Sequence, residues 1–290
     1  MARLFAALVV CLAACVCFAD DADSGGEQKF PKWSGSGTLG YTTTGGNSRT
    51  NSLSGEFELT REGELTNNSF KAGITYANVI YAGDPIKTAN SCFGEYKFEA
   101  FFTRAKKPYA WGLLGAESDE FQGYWGRYKL EIGPGYSFFG TYEATLKLEV
   151  GYALVDTNWV NPKETNEGEY HLWETTHNAL ARVIASSPFM DDRVTLEEEV
   201  LYRANLEDWQ DYVIEATSSV KVKLNDKVSL TATLDVTYTN QPALVEKLDE
   251  NGNVVTYDDD GDPSTPEVPK LVPAQRLDYT LTNGLSVSFL

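Results

Sequence analysis

The sequence predicts an all-β protein, a single antiparallel transmembrane β-barrel of about twelve strands. Three observations lead there. The last fifteen residues, Arg276 to Leu290, alternate polar and apolar, with Leu277, Tyr279, Leu281, Leu285, Val287 and Phe289 on one face. Period two means a strand, because successive side chains of a pleated backbone point to opposite faces. Similar runs recur from Trp33 onward, mostly about eleven to fifteen residues long against a mode of about 5–6 in globular sheets. The connections also alternate between short turns and longer loops, as in outer-membrane barrels with both termini in the periplasm.

Taken in order, residues 1–19 read as a secretory signal peptide. Arg3 supplies the positive region, Leu4 to Phe18 the apolar run, and Cys17-Phe18-Ala19 the cleavage site before Asp20. Leu12-Ala13-Ala14-Cys15 also fits a lipoprotein signal, in which Cys15 would carry lipid. Residues 20–32 are polar and aperiodic, a flexible lead-in. Residues 33–290 form the barrel, with a long external loop at about 241–275.

The twelve strands are expected near 33–43, 50–60, 69–80, 91–103, 109–119, 126–136, 141–154, 173–186, 193–206, 212–223, 228–240 and 276–290. The eleventh is the clearest, with Val228, Leu230, Ala232, Leu234, Val236 and Tyr238 against Ser229, Thr231, Thr233, Asp235, Thr237 and Thr239. The seventh sets Tyr142, Ala144, Leu146, Leu148, Val150 and Tyr152 against Glu143, Thr145, Lys147, Glu149 and Gly151. The sixth sets Tyr128, Leu130 and Ile132 against Arg127, Lys129 and Glu131. The eighth and fifth break the pattern, since Leu180 and Ile184, and Leu114, fall on the expected polar faces. Loops 81–90, 155–172 and 241–275 are expected outside. Trp125, Trp173 and Trp209 near the outer strand ends, and Trp33 and Trp111 near the inner ends, suit headgroup-level belts.

A formal charge of −18 leaves no basic face for a phosphate backbone, so nucleic acid is excluded as a partner. Divalent cations bridging acidic loops to anionic headgroups would give that acidity a use. Three of the four cysteines lie in the leader, leaving Cys92 without an intramolecular disulfide partner.

Gly35-Ser36-Gly37-Thr38-Leu39-Gly40 matches the dinucleotide fingerprint in spacing, with Glu56 near the acidic position. That fingerprint needs a helix behind its glycines to hold a pyrophosphate, whereas Tyr41 to Asn47 continue a strand into a turn. Small residues in a barrel strand instead allow curvature and close packing of neighbours. Thr44-Gly45-Gly46-Asn47-Ser48 after this strand, followed by Ser52-Leu53-Ser54-Gly55-Glu56-Phe57 and Tyr-rich strands, resembles the opening of the salt-induced outer-membrane protein family, an uncharacterised bacterial family. Gly46 stands where that family usually has Ser. The resemblance implies an outer-membrane barrel and brings no reaction or catalytic residues.

His171 and His177 are the only histidines and flank the start of the eighth strand at the outer rim, with Glu169, Glu174 and Thr175 nearby. Spacing cannot assemble a triad, and a solvated rim histidine is the ordinary reading. Asp249, Asn251 and Asn253, and Asp258, Asp260 and Asp262, have the composition of calcium loops. Val254 and Pro263 follow these sets instead of the required glycine, so they are weak metal candidates. Asn251-Gly252 reads better as a hairpin turn between Val245–Leu248 and Val254–Tyr257.

The polar faces supply the candidate site. Glu56, Glu58, Lys97, Glu99, Arg127, Lys129, Glu131, Lys147, Glu149, Arg182, Glu197, Glu199, Arg203, Glu215, Lys221, Lys223, Asp235, Arg276 and Asp278 would line one narrow lumen. Paired, they seal it; solvated, they form charge rings that select solutes. The functional expectation is an outer-membrane barrel of passive role, a narrow hydrophilic channel or an envelope-structural barrel, with no catalytic residues and no cofactor. Its partners would be outer-membrane lipid and small solutes or ions. The competing readings are an outer-membrane hydrolase working through His171 or His177 and a soluble periplasmic β-sandwich binding module, since a sandwich alternates too.

Overall fold

The computed structural model describes residues 30–43, 49–81, 84–120, 122–140, 144–164, 170–190, 193–242, 244–246, 256–257, 268–269, 271–273 and 276–289. The strands are β1 (Lys32–Thr43), β2 (Arg49–Glu62), β3 (Thr66–Tyr81), β4 (Asp84–Phe101), β5 (Pro108–Asp119), β6 (Tyr124–Gly140), β7 (Thr145–Glu164), β8 (Tyr170–Phe189), β9 (Val194–Asn205), β10 (Tyr212–Lys223), β11 (Val228–Thr239), β12 (Leu244–Glu246), β13 (Thr256–Tyr257), β14 (Val268–Pro269), β15 (Leu271–Pro273) and β16 (Leu277–Phe289). β1 to β11 and β16 pair antiparallel with their neighbours round a closed barrel. The terminal strand closes it, β16 pairing with β11 on one side and with β1 on the other, Leu285 opposite Leu39 and Phe289 opposite Gly35.

Cross-strand pairs of glycine with an aromatic ring recur and explain where the rings go. Phe289 lies over Gly35, Phe93 over Gly73, Tyr109 over Gly135, and Trp111 beside Gly133 and Gly151. A glycine leaves bare backbone on which a neighbour's ring can rest, and the strand can curve there. The Gly35–Gly40 run is therefore part of barrel closure, and the segment after it is a strand as expected.

The outer surface is apolar and banded. Leu39, Ile74, Leu114, Ile132, Leu230, Leu281 and Leu285 are exposed on it. Tyrosines crowd the level of the β9–β10 connection, where the rings of Tyr202, Tyr212 and Tyr238 follow one another at 5.8 and 6.0 Å, and Trp125, Trp173 and Trp209 are exposed towards that end. Phe57, Phe70 and Phe289 cluster near the opposite end, at ring separations of 6.3 and 5.9 Å. Arg placed at Leu281, within the aliphatic band, should lower stability in a bilayer by roughly 2–4 kcal/mol. Urea titration of barrels refolded in lipid measures this, and an unchanged midpoint would mean that this face meets water.

The structure corrects three expectations. Residues 84–90 and 155–164 are strand rather than loop, as are 170–172. Their register shifts between Ala77 and Asn78 and between Asn158 and Lys163. Asp156, Thr157 and Asn158 put polar side chains on both faces there, so no alternation marks the strand. Asn251-Gly252 lies outside the described residues, but the segments expected to pair across it pair elsewhere. Val245 in β12 pairs with Val272 in β15, and Tyr257 in β13 with Val268 in β14. β12 comes alongside β7, four strands round the wall from β11. The fifth strand is inverted. Tyr109, Trp111 and Leu113 point inward and Leu114 outward, so Trp111 is no belt residue. Of the residues expected in the seventh strand, Tyr142 and Glu143 fall outside the described residues; β7 runs from Thr145.

Candidate functional site in the barrel lumen

Inside the barrel runs a cavity of about 680 Å³. Every barrel strand except β7 contributes to its wall. It extends from Asp119, Gln122 and Tyr124 at the β5–β6 end to Ser186, Lys221 and Glu58 near the opposite end. Alternation along each strand places these side chains inside, and two arcs of different chemistry result.

The first arc, from β4 to β9, is packed. Phe101, Tyr109, Trp111, Leu113, Ala153, Val155, Leu180 and Leu201 form an apolar cluster within the barrel. Leu180 is on the inner face as the sequence indicated, and Ile184 lines the cavity. A charge network lies against this cluster. Glu149, with no exposed surface, is held by Lys97 at 2.6 Å, by the hydroxyl of Tyr109 donating at 3.0 Å and by Arg182 Nη1 at 3.1 Å. Arg182 Nη2 donates to Glu131 Oε2 at 2.7 Å, and its Nε lies 3.0 Å from Glu199 Oε1. Lys97 and Arg182 both lie over the indole of Trp111, 5.5 and 5.3 Å from its centroid. Lys147 bonds both carboxylate oxygens of Glu99 at 2.8 and 2.9 Å. Nearer the β5–β6 end, Lys129 and Arg127 meet Glu117 at 2.8 and 3.0 Å, and Tyr124 donates to it at 3.1 Å. Arg203 Nη2 donates to Glu215 at 3.3 Å. Ions removed from water persist when each has opposite charge and hydrogen bonds around it, and this network supplies both.

The second arc, from β10 through β11, β16 and β1 to β3, carries short hydroxyl side chains: Thr217, Ser219, Thr231, Thr233, Thr280, Thr282, Ser36, Thr38 and Ser69. Among them stand Glu56, Glu58, Lys71, Lys221 and Asp235, and Thr217 donates to Asp235 at 2.7 Å. Short side chains on this arc leave the space that long ones fill on the other.

Of the charges expected in the lumen, Glu56, Glu58, Lys97, Arg127, Lys129, Glu131, Arg182, Glu197, Glu199, Glu215, Lys221 and Asp235 line the cavity. Glu99, Lys147, Glu149 and Arg203 belong to the packed network behind it. Lys223 ends β10, exposed at the rim. Arg276 is exposed and precedes β16, so it is no wall residue; Asp278 is opposite Thr237, its side chain outside the description. Lys71, Glu95, Glu117 and Asp119 were missed. The inverted fifth strand hid Glu117 and Asp119, which share a face with Leu113. Glu95 has the same parity as Lys97 and Glu99, and Lys71 alternates with Phe70 and Ala72, so both could have been found.

His177 faces the outside of the barrel, hydrogen-bonded through Nδ1 to the hydroxyl of Tyr152. Thr175 turns its hydroxyl to Asp156 at 2.8 Å, away from a nucleophile–base pairing with His177. The backbone of His171 pairs with Lys163. The acidic candidates Asp249, Asn251, Asn253, Asp258, Asp260 and Asp262 lie outside the described residues, among which no group of His, Cys, Asp or Glu could hold a metal ion.

Closed twelve-stranded topology and a charged interior define an antiparallel β-barrel with a polar inner wall. The chain belongs to the family described as "Protein of unknown function, DUF481", whose pattern matches residues 37–251. The salt-induced role suggested by the motif after the first strand is not in that description. No curated protein matches the chain. It is similar to an outer-membrane channel of Pseudomonas putida F1 at 9% identity and a TM-score of 0.45, over 93% of this chain and 100% of that one. It is also similar to the translocator domain of the autotransporter NalP from Neisseria meningitidis at 12% identity and a TM-score of 0.42, over 100% and 96%. A third similar structure is the NanC porin, at 7% identity and a TM-score of 0.42, over 89% and 98%.

Proposed function

We propose that this protein is a passive outer-membrane barrel that conducts small solutes through a narrow hydrophilic channel, without enzyme chemistry. One observation carries the reading: the polar cavity runs from the β5–β6 connection almost to the opposite rim. The apolar outer band with aromatics towards both ends supports a membrane setting. Spread over a hydrocarbon thickness of about 30 Å, the 680 Å³ open to the centres of water molecules corresponds to a mean section of about 20 Å², and adding the width of one water molecule gives an opening roughly 8 Å across. Ions and the smallest organic solutes fit such a bore; disaccharides do not.

Planar-bilayer recording and liposome swelling test it. A small, steady unit conductance is expected, with swelling in glycerol and none in sucrose. A barrel that is folded and inserted yet electrically silent would be a sealed structural element of the envelope. Recovery in the soluble periplasmic fraction without detergent would remove the membrane reading altogether.

A further inference from the structure

We infer that the lumen is selective for small cations, with the carboxylates of the β10–β3 arc that stand outside the ion-pair network setting the preference. This deepens the channel reading and rests on it. The argument starts from which charges are free to act on a passing ion. Among the described residues, the six basic side chains that β4 to β9 turn to the interior are all engaged in ion pairs at 2.6–3.3 Å. A cation already neutralised by a touching carboxylate has little field left for the solvent beyond it.

The open arc differs. Glu56, Glu58 and Asp235 line the cavity with Lys71 and Lys221, Glu197 of the adjoining β9 joins them at the edge of the arc, and among the described residues no ion pair within 4.0 Å joins any of the six. Lys71, Glu58, Asp235 and Lys221 all lie within electrostatic reach of Glu56, so these groups act on one stretch of the bore. Four carboxylates against two ammonium groups leave a net negative wall. Beside them the hydroxyl-lined arc offers oxygen atoms to a partly dehydrated cation. Charge rings of one sign in a narrow bore raise the local concentration of the opposite ion. Thr217 fixes one oxygen of Asp235 by donating at 2.7 Å, which holds that carboxylate at the wall.

Reversal potentials of the full barrel in a tenfold KCl gradient test this. The wild type should favour K⁺ over Cl⁻ by about three-fold or more. The double variant Glu56→Gln, Asp235→Asn should bring the ratio towards one, and Lys71→Gln should raise it. A heat-modifiable gel shift confirms that each variant is folded. Anion preference, or equal permeability in the wild type, overturns the inference while leaving the channel reading intact. Absence of any conductance overturns both. A double variant that is folded and as selective as the wild type moves the preference away from these residues and also overturns it.

Discussion

Arg182→Ala should destabilise the barrel by about 3–5 kcal/mol, because it strands Glu131 and Glu149 inside the wall. Glu131 has 1% and Glu149 no exposed surface, and Arg182 bonds each of them at 2.7 and 3.1 Å. Lys97 and Tyr109 would still reach Glu149, but Glu131 would keep only Arg203 at 3.9 Å. The cost therefore falls chiefly on Glu131. Arg182→Ala combined with Glu131→Gln should recover most of it, since a neutral amide no longer needs a cation. Urea unfolding of lipid-refolded protein reads both variants through Trp111, whose ring lies 5.3 Å from the Arg182 guanidinium. The single variant should also conduct more, as a side chain leaves the packed arc. A loss below about 1 kcal/mol would mean the network is hydrated and screened, and the lumen wider than the packing indicates.

The strand count and nearly all strand positions could be read from the sequence, since one wet and one apolar face impose period two wherever both are present. β11 and β16 are plain cases: Leu230 and Leu281 point out, Thr231 and Thr282 in. The reading fails where the two faces stop differing in polarity. β5 is apolar on both sides because its inner face packs against an apolar cluster inside the barrel, so Trp111 passed for a belt residue at the headgroup level. The extension of β7 opens with Asp156, Thr157 and Asn158, polar on both sides, and passed for a loop. In the candidate site, the sequence identified which residues face inward but not which of them pair. Pairing depends on which strands lie across the lumen, so Lys147 reaching Glu99 and Arg182 reaching Glu131 emerge only from barrel closure.

Gly133→Ala should be the most damaging single-methyl change in the wall, lowering stability by roughly 3 kcal/mol or preventing refolding. β6 and β7 face each other here, with Ile132 opposite Tyr152 and Gly135 opposite Glu149. Between these pairs Gly133 and Gly151 lie back to back, and a Cβ on Gly133 would run into the carbonyl oxygen of Val150 and stand 2.7 Å from the Cα of Gly151. Backbone cannot swing aside as a side chain can, so the strands must part. Parting them disturbs the Trp111 ring, which donates from Nε1 to the Pro134 carbonyl at 3.2 Å and lies under both Lys97 and Arg182. The damage should therefore spread from a strand contact into the charge network. Gly112→Ala is the control. Its Cβ would meet nothing nearer than 3.7 Å and so should change stability by less than about 0.5 kcal/mol. If both variants refold with the same urea midpoint as the wild type, β6 and β7 do not approach this closely, and the seat of Trp111 inside the barrel must be sought elsewhere.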